Sequence, residues 1–286
     1  MKFGFSLLGL SPRWYAEVAR AAEAAGFDSV WVQEHVVFPA EMPHTYPYSD
    51  DGNPGIASKT PLIDPWIALT TIANATESVR LASNVYVLPL RSPFVTARAA
   101  VTLDRVSGGR LSLGVGVGWL QQEYEAMQVE WEGRGRRMDE IIDIMRRLWS
   151  EETIEHQGEF YHFDPVCFEP KPLQKSGIPL LIGGESRPAM RRAARTGDGW
   201  IMTWLGAAEE VAEKVAAMQA LRVEHGRVDV PFEITGSVQR DVSVDSLRAY
   251  QANGVDRVIV DALGSRSAQD VVDALHRFRD DTASKL

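Results

Sequence analysis

The chain has 286 residues, enough for one large domain, with 45% hydrophobic and 24% charged residues, the balance of an ordinary globular fold. A formal net charge of -9 argues against a nucleic-acid partner, and the single cysteine, Cys167, excludes an intrachain disulfide or a cysteine-rich metal cluster and fits a reducing cytoplasm. The opening MKFGFSLLGL is too short and glycine-punctuated for a signal peptide, and no apolar run approaches the roughly 20 residues of a membrane span.

Lys2–Leu8 reads as a first strand, and Ser11-Pro12 opens a helix through Ala25 that stops at Gly26. Ser29-Val30-Trp31-Val32 is a buried strand ending in Gln33-Glu34-His35. The segment 36–61 is rich in Pro, Tyr, Gly and Asp; a loop of that length in a compact domain is usually functional or disordered. A helix over Ile63–Thr76, a strand over Arg80–Val87, a helix over Pro93–Val106 and a strand over Leu111–Val117 follow. After Gly135 comes a long helix with Met138, Ile141, Ile142, Met145, Leu148 and Trp149 on one face. Thr153–Phe168 alternates about Gly158, a hairpin within an insertion over 151–178. Strands at Pro179–Ile182, Gly199–Thr203, Phe232–Val238 and Arg257–Asp261 then alternate with helices at Pro188–Arg195, Ala207–His225 and Ser243–Ala252. A last helix carries Val271, Val272, Leu275 and Phe278 as its buried stripe. Eight strands alternating with helices predict a (β/α)8 barrel over residues 1–286 as one domain, with its chemistry at the carboxyl ends of the strands.

Those ends hold the candidates. Glu34-His35 follows a wholly apolar strand, which places an imidazole and a carboxylate at the barrel mouth, unless the pair is a solvated turn. Gly114-Val115-Gly116-Val117-Gly118-Trp119 lacks the dinucleotide spacing; its first two glycines serve either tight barrel packing or close approach of a flat ligand, and Gly118-Trp119 lines a pocket. Ile182-Gly183-Gly184-Glu185-Ser186-Arg187-Pro188, a strand running into a helix, suits a phosphate, with Thr203 nearby and Glu185 pointing away. Leu88-Pro89-Leu90-Arg91-Ser92-Pro93 either caps a helix or serves the site. Arg134, Arg136 and Arg137 are expected to pair with Asp139 and Glu140. The histidines show no ligand spacing, so no metal is expected, and no serine-hydrolase elbow is present.

Several stretches, in this order, resemble the bacterial luciferase-like flavin-barrel family, and most closely its coenzyme F420-dependent oxidoreductase branch. They are Ala25–Trp31, Tyr46–Gly52, Leu88–Pro93, Thr102–Arg110, Gly114–Trp119, Gly183-Gly184 and Gly197-Asp198-Gly199-Trp200. The resemblance implies a luciferase-like TIM barrel with an extra hairpin, homodimeric and cytoplasmic, binding F420 or alternatively FMN. It implies a phosphate held by Gly183, Gly184, Ser186 and Thr203, with Gly118 and Trp119 beside the ring. It also implies a non-prolyl cis peptide behind the ring at Asn84-Val85 or Val85-Tyr86. The expected activity is hydride transfer between the deazaflavin and a small, partly apolar organic substrate, with His35 assisting proton balance and Glu34 orienting it. The alternatives are an FMN-dependent monooxygenase using reduced flavin and oxygen, and a non-catalytic flavin-binding protein. F420-dependent glucose-6-phosphate dehydrogenases carry an acidic residue where this chain has Trp119, which implies an apolar pocket in place of a sugar-phosphate one. The 36–61 loop, with Tyr46 and Tyr48, is then a lid, and Arg187, Arg191 and Arg192 either stand near the site for an acidic cofactor tail or form the solvated face of the helix over Pro188–Arg195.

Overall fold

The computed structural model describes residues 1–239, 241–261 and 267–286. In chain order its first half contains β1 (Lys2–Ser6), α1 (Tyr15–Ala24), β2 (Ser29–Val32), α2 (Pro65–Ala75), β3 (Arg80–Ser83), β4 (Tyr86–Val87), α3 (Pro93–Val106) and β5 (Leu111–Gly116). Then come α4 (Gln121–Ala126), α5 (Arg134–Ser150), β6 (Thr153–Gln157), β7 (His162–Cys167), β8 (Leu180–Gly183) and α6 (Arg187–Thr196). The chain finishes with β9 (Gly199–Met202), α7 (Ala208–Glu224), β10 (Glu233–Val238), α8 (Val244–Ala252), β11 (Arg257–Asp261) and α9 (Ala268–Asp281). Parallel pairing runs β3-β2-β1-β11-β10-β9-β8-β5, and β3 also pairs with β5, so the sheet closes into a barrel of eight strand positions, with β4 continuing the third. Among the described residues no helix is long and apolar enough to cross a membrane.

Alternation along each strand sorts side chains between two compartments. In β2, Val30 and Val32 join the main core, while Trp31 points inward to meet Ala82, Leu181, Ile201 and Ile259. The strand starts fill the opposite end of the barrel with charge. Arg257 Nε donates to Glu233 Oε1 at 3.0 Å, Lys2 Nζ donates to Glu233 Oε2 at 2.8 Å, and Arg80 Nε donates to Ser112 Oγ at 3.0 Å. Burial alone would raise the Glu233 carboxyl, but the hydrogen bonds and charges of Arg257 and Lys2 outweigh it and hold the group at about 2. This ionic floor closes the amino-terminal end and leaves the carboxyl end for chemistry.

Several expectations need correction. The first strand ends at Ser6, and a short 3-10 turn, Pro12–Trp14, precedes α1. The strand expected over Arg80–Val87 is two pieces, with the cis peptide bond Asn84–Val85 between them. Helix α4 was not anticipated. The buried stripe of α9 is Val271, Ala274, Leu275 and Phe278, with Val272 only partly covered. Antiparallel β6 and β7 form the expected hairpin. Glu140 pins it to α5 by accepting from Phe160 N at 3.0 Å, Tyr161 N at 2.8 Å and His156 Nε2 at 3.0 Å. Glu140 is therefore not a partner of the arginine cluster. Asp139 instead binds Arg192 at 2.7 Å and Arg195 at 3.0 Å, and Arg136 turns to Glu159 at 2.7 Å.

Candidate active site

His35 leaves the end of β2 with its side chain mostly covered, and its Nδ1 lies 2.8 Å from Glu123 Oε2. Glu123 is wholly buried, and its other oxygen accepts the Val36 amide at 2.5 Å. A carboxylate on Nδ1 fixes that nitrogen as the proton donor, so Nε2 is left to accept or return a proton. Among the described residues Nε2 has no hydrogen-bond partner. Glu34 does not orient His35, as its adjacency suggested. Its carboxylate, 4% exposed with its residue, accepts the Val87 amide at 2.8 Å and both Arg91 guanidinium nitrogens, Nη1 at 3.0 Å and Nη2 in a very close pair. Glu34 and His35 both lie just beyond β2, and the two neighbours serve different partners. Arg91 thus belongs to the buried support beneath the mouth, and it also stands 4.4 Å over the Tyr86 ring.

The glycines of β5 answer a packing demand. A Cβ at Gly114 would come 2.0 Å from the Ser83 carbonyl oxygen, and one at Gly116 would come 2.7 Å from Val85 Cγ2. Gly183 faces the same side chain, with 2.7 Å to Val85 Cγ1. Val85 is therefore seated between notches on β5 and β8, over the inward layer of Trp31 and Ile201. Asn84 is partly buried beside it, its amide bonded to Val32 O at 2.8 Å. Tyr86 turns outward, away from the mouth, where Trp66 Nε1 donates to its hydroxyl at 3.3 Å. Gly118 has φ +70°, which turns the chain so that Trp119 returns toward His35.

Trp119 begins a series of edge-to-face rings that crosses the mouth. Its centroid is 5.9 Å from His35 and 5.2 Å from Tyr46, and Tyr46 is 5.4 Å from Tyr48. Tyr48 ends on the far side, where its hydroxyl accepts the Glu185 amide at 3.2 Å. The loop 36–61 is thus folded inward, and its aromatics link the end of β2 to the turn after β8. Burial, with the nearby Tyr48 and Glu185, pushes the Tyr46 phenol up to about 12, so it stays protonated.

The turn after β8 departs from the sequence reading in three ways. The Gly184 amide is used by the strand ladder, donating to Ile201 O at 3.2 Å, so this glycine (φ +111°) supplies bare backbone, not a free donor. The Ser186 hydroxyl caps α6 by accepting from Ala189 N at 3.4 Å. Glu185 points inward: Oε1 accepts the Thr203 amide at 2.9 Å, and Oε2 accepts from Lys214 Nζ at 2.5 Å. Lys214, on α7, is a cation that no sequence motif marked. Two donors converge on an anion there, so the chemistry of the subsite fits a phosphate, although a carboxylate now holds it. Of the three arginines near this turn, Arg192 is tied to Asp139 and Gly135 O, and Arg191 to Glu224, while Arg187 is exposed.

A further polar chain lines the mouth. Ser6 at the end of β1 accepts from Gln33 Nε2 at 2.8 Å, and its hydroxyl bonds to Asp261, at the end of β11. Burial raises the Asp261 carboxyl, and that hydrogen bond partly offsets the shift. Glu123, Lys214 and Asp261 all escaped the sequence reading. Only Glu123 left a trace: Leu120, Glu123, Tyr124 and Met127 have helical spacing, with the carboxylate beside the apolar members.

The model of a family described as luciferase-like monooxygenase matches residues 4–273. An uncharacterised protein of Mycobacterium tuberculosis is 35% identical over 260 residues, 91% of this chain and 88% of that one. An F420-dependent glucose-6-phosphate dehydrogenase of Nakamurella multipartita is 31% identical over 209 residues, 71% of this chain and 56% of its own length. An FMNH(2)-dependent dimethylsulfone monooxygenase of Pseudomonas putida is 30% identical over 155 residues, 53% of this chain and 42% of its own.

Proposed function

The chain belongs to the luciferase-like monooxygenase family, and we propose that it is a coenzyme F420-dependent oxidoreductase moving a hydride between the deazaflavin and a small, partly apolar organic substrate. The observation that carries this reading is the His35–Glu123 pair, a proton-handling imidazole fixed by a buried carboxylate at the mouth of a closed barrel. Relatives named for F420 and for FMNH(2) are similar to this chain at 31% and 30% identity, so the choice of the deazaflavin rests on the motif resemblance and on the titration below.

The cofactor, when bound, would supply the hydride chemistry. The protein's part is to hold, orient and shield. Val85 would support the ring from below, and Thr203 and Lys214, with the bare backbone of Gly183 and Gly184, would take its phosphate. Trp119 and Tyr46 keep water from the space beside His35. His35 Nε2 would give or accept the proton that balances the hydride on a carbonyl or alcohol oxygen of the substrate. Trp119 leaves an apolar wall where a sugar phosphate would need charge, so an apolar ketone or alcohol fits better. The same proposal takes the working form to be a cytoplasmic homodimer, and light scattering on the purified protein tests its mass.

The cofactor is tested by titrating apoprotein with F420 and FMN in parallel and following fluorescence quenching. Tighter binding of F420, lost together with turnover in His35→Ala, is the expected result. Preferential binding of FMN, with oxygen uptake dependent on reduced FMN, would overturn it in favour of a monooxygenase.

A further inference from the structure

We propose that Glu185 is a resident anion of the phosphate subsite, which an incoming phosphate displaces, and that Lys214 is the cation handed from one anion to the other. The inference rests on the cofactor reading above only in that the arriving group is a phosphate.

Three features of the turn carry it. The Thr203 amide and the Lys214 ammonium, at 2.9 and 2.5 Å, are donors of the kind a phosphate takes, and both are spent on one carboxylate. The Thr203 amide has one hydrogen and cannot serve Glu185 and a second anion together, and like-charge repulsion opposes a second anion beside Glu185 on the ammonium. The Lys214 side chain is 41% exposed whereas that of Glu185 is 14% exposed, so an anion from solution can reach the cation without opening the barrel. The same residue also holds the lid, since its amide donates to Tyr48 Oη. Releasing the Glu185 side chain from the Thr203 amide and Lys214 removes two tethers from the turn whose amide holds Tyr48, which would couple arrival of a phosphate to release of the 36–61 loop.

The test compares FMN against riboflavin, which differ only in the phosphate, and F420 against its deazaflavin nucleoside, which lacks both the phosphate and the acidic tail beyond it. Affinities are measured by fluorescence quenching for the wild type, Glu185→Gln and Lys214→Met, after circular dichroism has shown each variant folded. Glu185→Gln should tighten the phosphate-bearing member of a pair about tenfold and leave the phosphate-free member unchanged, a gain of about 1.4 kcal/mol. Lys214→Met should weaken the same member by a similar factor. Equal effects on both members of a pair, or none, would overturn the proposal. Inorganic phosphate titrated alone, with the melting temperature as readout, separates this idea from the cofactor reading. A larger rise for Glu185→Gln than for wild type supports the resident anion even if neither ring binds. An equal or absent response in both proteins counts against it.

Discussion

Replacing Glu123 by Gln tests the core of the site without creating a hole. The carboxylate accepts two hydrogen bonds, from Val36 N at 2.5 Å and His35 Nδ1 at 2.8 Å, and it is wholly buried. Glutamine has one carbonyl oxygen, so its amino group either faces Val36 N and leaves that amide unpaired, or faces His35 Nδ1 and forces the imidazole into the tautomer whose proton sits on Nε2. A buried unpaired donor costs about 1–3 kcal/mol, and the loss of charge on the surviving bond adds about 1. Unfolding entropy of about 2.1 cal/mol/K per residue gives roughly 0.6 kcal/mol/K for a chain of this size, so the melting temperature should fall by about 3–7 °C. Calorimetry measures that. The imidazole proton on His35 Nδ1, followed by NMR, reports the pairing without any substrate and should shift or vanish in the variant. In the double variant with His35→Ala the two losses should not add, because they remove one shared interaction. An unchanged Nδ1 proton with an unchanged melting temperature, or strict additivity, would refute the assignment of Glu123 as the residue that positions His35.

Other perturbations test the surrounding scaffold. The folded pKa of Glu233 is depressed to about 2 from 4.5, so its stabilising contribution is present above about 4.5 and lost as pH falls from there toward 2. That contribution is on the order of 3 kcal/mol; urea unfolding from pH 5 to 2 should show a shallower decline for Glu233→Gln, and equal slopes would remove Glu233 from the account. Gly116→Ala should cost about 1–3 kcal/mol through its clash with Val85, and Val85→Ala in the same chain should recover part of that loss. Denaturation midpoints that add without recovery would speak against the shared notch. Tyr46→Ala removes the ring between Trp119 and Tyr48, so limited proteolysis within 36–61 should quicken several-fold. A loop cut at the wild-type rate would mean that these aromatics do not hold it.

The barrel was legible because buried β-rich runs such as Ser29–Val32 and Arg257–Asp261 alternate with striped helices such as Arg134–Ser150, and that rhythm survives without tertiary knowledge. The structure brings the strand-end residues His35, Trp119, Gly184 and Thr203 to one mouth, since closure of the parallel sheet gathers the carboxyl ends of its strands at one rim. Partners were less legible. Glu34 and Glu123 both end in carboxylates near His35, but only the geometry of closure decides that the nearer one in sequence serves Arg91. Lys214 is another such case: a lysine midway along a helix has no local mark separating it from a solvated one, and its role arises from a turn 29 residues earlier in the chain. Helix α4 was missed because it is short and mostly polar, with the carboxylate of Glu123 standing on its apolar side.

Val85 sits in recesses cut into two other strands, and changing the depth of the mouth would require coordinated substitutions on β4's approach, β5 and β8 together. Selection that works one residue at a time meets a barrier there and none on the aromatic lid or the acidic turn. Divergence in what such barrels accept should therefore be written in their covers and collars, while their bases stay alike even between enzymes that share no substrate.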